Sequence, residues 1–127
     1  MQLFSLNFII LFTYLFSGDD MKYNFPIKTK EFWGCNMLDV DVGSNCPCGG
    51  DAGHGGRTYL KITDEGNTGW NITVKDGGGS DYYFELPKSI ALEFLGDSEN
   101  TTFIQVLDFA LKELLMRYME ESQKHKC

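Results

Sequence analysis

The chain reads as an α+β fold: an antiparallel sheet of five or six strands with one long C-terminal helix packed on a face. Three observations predict it. Short runs rich in β-branched and aromatic residues recur from residue 22 to residue 96, separated by glycine, proline and asparagine. One of them, NMLDVDVG, sets Leu38, Val40 and Val42 against Asp39 and Asp41, the two-residue period of a half-buried strand. Beyond residue 96 the apolar period lengthens to three or four, the mark of an amphipathic helix.

Taken in order, KYNFPIKTKEF is extended, and Pro26, which cannot donate to a ladder, restricts it to an edge. NMLDVDVG follows as the second strand. RTYLKIT is the third, imperfect in alternation but rich in strand formers. GWNITVKDGGG places Trp70, Ile72 and Val74 on one face and closes at Gly77–Gly79. DYYFELP and SIALEFLG complete the set, divided by Pro87 and Lys88. The helix carries Phe103, Val106, Leu107, Ala110, Leu111, Leu114 and Tyr118 at helical spacing. Ser98, Asn100, Thr101 and Thr102 are its candidate N-caps, and Thr102 with Gln105 fits a capping box. Acidic Asp97 and Glu99 near its start and Lys124, His125 and Lys126 near its end suit the helix dipole.

The first twenty residues do not match this pattern. Leu3–Phe16 is mostly apolar but too short to span a bilayer comfortably, and no lysine or arginine precedes it as in a signal peptide. Gly18-Asp19-Asp20-Met21 can be encoded as GGNGAYGAYATG, a purine-rich ribosome-binding sequence ahead of a start codon. Residues 1–20 are therefore expected to be an extension upstream of a natural start at Met21, with residues 21–127 forming a single α+β domain. A secreted or membrane-tethered domain using the apolar N-terminus is a third setting.

The 127 residues carry a net charge of −7, or −5 from Met21. That balance argues against a protein that neutralises nucleic-acid phosphates, so no direct nucleic-acid contact is expected. It permits docking on a basic surface of another protein.

Residues 46–56, CPCGGDAGHGG, concentrate the chemistry. Five of fourteen glycines, two of four cysteines and one of two histidines fall there. Glycines alone make a turn, but a turn requires neither thiols, a carboxylate nor an imidazole. Cys46, Cys48, Asp51 and His54 are zinc-donor types on a flexible backbone, with Cys35 the substitute donor. Four protein ligands would close the ion off, as in a structural site. A Cys46–Cys48 disulfide across one proline is disfavoured by geometry. A phosphate loop fits poorly, because this loop leads into a strand and not into a helix.

The string DAGHGG resembles the first zinc-ligand motif of bacterial cell-wall amidases, which would make His54 a catalytic zinc ligand and the chain an amidase-like hydrolase. The only other histidine, His125, lies in the C-terminal tail. A longer run, CGGDAGHGGRTYLKI with the later GW and FLGDSENTTFIQVLDFALKEL, resembles small proteins of Gram-positive bacteria and their phages. That resemblance implies a mobile-element origin, with Asp51 and His54 most tied to the motif. Small phage inhibitors of bacterial defence, anti-CRISPR proteins among them, are similar in size and charge. The expected function is thus a zinc-binding, non-enzymatic inhibitor in the bacterial host cytoplasm, with no membrane role. Its partner would be a bacterial defence protein such as a CRISPR effector nuclease. The expected docking residues are Asp39, Asp41, Asp64, Glu65, Asp97 and Glu99.

Overall fold

The structure, a computed structural model, describes residues 23–124. The expectations for residues 1–20, the Met21 start, His125 and Lys126 lie outside the described residues. The protein is α+β, and among the described residues six strands are followed by one long helix. Two compact units divide it: the residues up to Asn45 with Thr58–Glu93, and Cys46–Arg57 with the residues from Phe94 onward.

The first unit holds the strands β1 (Lys28–Trp33), β2 (Met37–Ser44), β4 (Asn71–Lys75) and β5 (Asp81–Glu85), with β3 (Arg57–Gly66) from Thr58 on and β6 (Ser89–Leu95) as far as Glu93. They form a four-stranded sheet in the order β1-β2-β3-β6 and a separate β4-β5 hairpin. The single sheet of five or six strands is thus split four and two. Asn67 and Leu86 adopt positive φ, of 64° and 47°, and Pro87 lacks an N–H, so the ladder is interrupted on both sides of the hairpin. The hairpin closes as its glycines suggest: the Asp76 carboxylate accepts from Gly78 and Ser80 N–H at 2.9 Å each, and Gly79 turns at φ 93°. At its open end the Trp70 indole N–H donates to the Pro87 carbonyl at 2.7 Å.

β1 follows Pro26 and lies on the sheet edge, as a proline-flanked strand should. Antiparallel pairing of β1 with β2 sets Glu31 opposite Asp39 and Thr29 opposite Asp41. Pairing of β2 with β3 sets Val40 opposite Ile62, Val42 opposite Leu60, Asp39 opposite Thr63 and Asp41 opposite Lys61. Opposed residues share a face, so Val40, Val42, Leu60 and Ile62 lie on one side of the sheet with Lys28 and Lys30 beside them, and Glu31, Asp39, Asp41 and Lys61 lie on the other. Tyr23–Ile27 crosses β2 at Gly43, where a Cβ would meet the Pro26 carbonyl oxygen at 2.6 Å and Ile27 Cδ1 at 2.7 Å. Only glycine admits that approach, and it lets Ile27 become buried. The Tyr23 and Tyr59 rings lie 5 Å apart to within 0.1 Å, at 4.9 Å, and Tyr23 also packs on Phe25 at 5.0 Å. Buried Thr58 shares a 2.9 Å hydroxyl contact with Ser44.

The second unit comprises the loop Cys46–Arg57, the end of β6 and the helix α1 (Asp97–Lys124). The Phe94 and Phe103 rings stack at 4.2 Å between centroids, and Phe103 is buried. The helix begins upstream of the Thr102–Gln105 capping box. The Gly96 carbonyl accepts the Asn100 N–H at 3.3 Å, so Gly96 is the cap and Asp97 the first helical residue. The loop supplies what a side-chain cap otherwise would.

Candidate functional site

The glycine loop and the first turn of α1 grip each other through their backbones. Asp97 Oδ2 accepts the N–H groups of Cys48, Gly49 and Gly50 at 2.9, 2.5 and 3.3 Å. Oδ1 accepts Gly56 N–H at 2.8 Å and shares the Cys48 N–H at 3.0 Å. In return, Asp97 N–H donates to the Gly50 carbonyl at 3.3 Å and Gly96 N–H to the Gly56 carbonyl at 2.8 Å. A run of N–H groups converging on one anion is a backbone nest, and Gly49 at φ 84° provides its left-handed turn. Arg57 braces the loop from its own end, donating to the carbonyls of Ala52, Gly55 and Gly56 at 2.7, 3.1 and 3.0 Å.

The donated N–H groups of Cys48, Gly56, Gly49 and Gly50, in that order, hold the Asp97 carboxyl far below the usual carboxylate range. Asp97 thus acts as an anchor between the loop and the start of the helix. In sequence this loop leads into a strand, unlike a phosphate-binding loop. In space it meets a helix start anyway, forty residues away along the chain.

The four expected zinc donors are spread over this loop. Cys46 Sγ points toward the Gly96 carbonyl at 3.8 Å, and Cys48 is exposed. Asp51 Oδ1 accepts Gly53 N–H at 3.0 Å, closing a local turn, while its carbonyl accepts His54 and Gly55 N–H. His54 is exposed. Cys35 is an exposed thiol in the other unit. Among the described residues no three His, Cys, Asp or Glu side chains gather as a metal centre, so as they stand the four donors do not form one.

The expected acidic docking residues separate into three groups. Asp39, Asp41 and Glu65 come together on the acidic face of the sheet, and pairing of β1 with β2 adds Glu31, which sequence reading missed. The signal was present, since the alternation of KTKEFW puts Glu31 on the face of Thr29. Partial burial, then the charges of Glu65 and Glu31, a hydrogen bond with Glu65 and the Asp41 charge all raise the Asp39 carboxyl. Thr29 Oγ1 donates to Asp41 at 2.7 Å, and Lys88 lies 3.9 Å from Glu65. Asp64 is occupied locally. Partial burial favours its neutral form, but the Thr68 hydroxyl, the Gly66 and Thr68 N–H groups and Lys88 outweigh this, and its carboxyl is lowered. Asp97 and Glu99 belong to the other unit, where Asp97 is the anchor.

No family model, curated protein or solved structure matches the chain. Among the described residues no helix is long and apolar enough to cross a membrane.

Proposed function

We propose that this protein acts by contact, docking the acidic face of its sheet on a basic surface of another protein. Crowding of Glu31, Asp39, Asp41 and Glu65 supports this reading: partial burial and then the neighbouring carboxylates raise Asp39, and a cationic partner relieves the part of that cost that comes from like charge. The proposed partner is a bacterial defence protein in the host cytoplasm, specifically a CRISPR effector nuclease, whose nucleic-acid channel is positively charged. Occupying that channel excludes DNA without any chemistry by the inhibitor.

The test is DNA cleavage by purified effector, guide and target with this protein in excess. Protection is expected, weakening as salt rises because exposed charges are screened. Asp39→Lys with Glu65→Lys should reduce protection at least tenfold. The milder Asp39→Asn separates binding from folding. A carboxyl raised in the folded state costs stability as pH climbs above its ordinary value near 3.8, so this variant should melt higher at neutral pH while protecting less. Full cleavage across several effectors would end the proposal.

Zinc remains a second proposal, on Cys46, Cys48, Asp51 and His54. Its support is the zinc-donor chemistry of these four residues, gathered in a loop whose grip on Asp97 is made by main-chain N–H groups. One zinc per chain is expected by elemental analysis of protein purified without chelator. A strong chelator and His54→Ala should each lower the melting temperature. Metal-free protein in that assay refutes this site.

A further inference from the structure

The apolar surface of α1 serves neither the acidic face nor the loop clamp. Between Ile104 and Met119, ten large apolar side chains are each at least 46% exposed. Leu107, Leu111, Leu114 and Tyr118 are 46, 57, 69 and 74% exposed, and their spacing aligns them in one stripe that continues from buried Phe103. A stripe of this kind normally faces a core.

Charges along the same stretch cancel. Asp108 pairs with Lys112 and Glu113 with Arg117, both at 2.9 Å and four residues apart. The stretch is neutral in a chain of net charge −7, so a strongly charged partner gains nothing here, whereas the surface meets a copy of itself without repulsion. Six of the ten, Ile104, Leu107, Leu111, Leu114, Leu115 and Tyr118, lie on the stripe side and are 46% or more exposed. They offer on the order of 600 Å² per copy, about the 1,200 Å² in total at which specific interfaces begin.

We propose that α1 pairs with α1 of a second copy of this chain, antiparallel about a two-fold axis. Leu111 of each helix then packs on Leu114 of the other, and Leu107 on Tyr118. Antiparallel pairing opposes the two macrodipoles and brings Lys124 of each copy toward the acidic first turn of the other, which carries Asp97 and Glu99. A two-fold contact is self-complementary, so one stripe serves both sides.

Sedimentation of the full chain over a wide concentration range tests this. The expected species has the mass of two chains and dissociates on dilution. Leu111→Glu with Leu114→Glu should give the mass of one chain with helical circular dichroism retained. Should that double variant fail to fold, Leu114→Gln, at an exposed position, should raise the dimer dissociation constant at least tenfold. Three results overturn the proposal: one chain at every concentration, a dimer indifferent to these variants, or a single chain that dimerises only after residues 1–20 are removed. The last would mean that the chain's own N-terminal segment covers the stripe.

Discussion

Asp97→Ala lowers the melting temperature at neutral pH by on the order of 5–10 °C, the expected result of losing a first-turn carboxylate and leaving a ring of backbone donors without their anion. Four N–H groups, those of Cys48, Gly49, Gly50 and Gly56, converge on that one side chain. The same interaction makes stability depend on pH. Because the folded carboxyl is held below its ordinary value near 3.8, its contribution is complete above that pH. It is lost as pH falls from there toward the folded value, where the unfolded chain binds the extra proton. Melting curves of the wild type and Asp97→Asn between pH 6 and pH 2 check the sign (both limits being about the usable range of such a titration). The gap between them should narrow as the solution is acidified. A constant gap would mean that Asp97 acts through shape and not through charge.

Gly96→Ala has a comparable effect by a different route. Gly96 sits at φ 122°, where a side chain is strained whatever the space, and its Cβ would meet Glu99 Oε2, the Asp51 carbonyl carbon at 3.1 Å and Ala52 N at 3.2 Å. Gly55→Ala drives a Cβ into the Gly50 carbonyl oxygen and to 2.7 Å from the Asp51 carbonyl oxygen, with no flexible end to give way. Each should cost about 2–4 kcal/mol, in the range of backbone strain added to a steric clash. Gly53→Ala is the control. Its nearest neighbour would be Asp51 Oδ1 at 3.7 Å, ordinary contact, so its effect should stay within ~0.5 kcal/mol. Chemical denaturation of the three variants decides whether the loop is a rigid clamp. Equal stability of Gly53→Ala and Gly55→Ala would show that it is not.

The acidic face and the clamp place different demands on charge. Asp97 is stabilised by its surroundings, whereas Asp39 is crowded by its own. Removing the first charge should weaken the fold, while removing the second should strengthen it and weaken docking. Groups that cost the free protein stability are candidates for contact with something else.

Local sequence determined the strands and the helix of this protein because their signals are local. The alternation of Leu38, Val40 and Val42 with Asp39 and Asp41, the edge position imposed by Pro26 and the hairpin turn at Gly77–Gly79 each need only neighbouring residues. The helix was legible in its period, but its start was not, because Gly96 is the cap and the loop at residues 46–57, not Thr102, binds the first turn. Tertiary structure alone decided the sheet split, the addition of Glu31 to the acidic face and the partner of the glycine loop. Each depends on residues far apart in sequence becoming neighbours: Glu31 meets Asp39 through strand register, and the loop's N–H groups meet Asp97 across more than forty positions. Backbone donors carry no side-chain signature. A sequence therefore advertises the thiols, carboxylate and imidazole of CPCGGDAGHGG, while the bonds that hold the loop are made by amide groups that every residue except proline possesses.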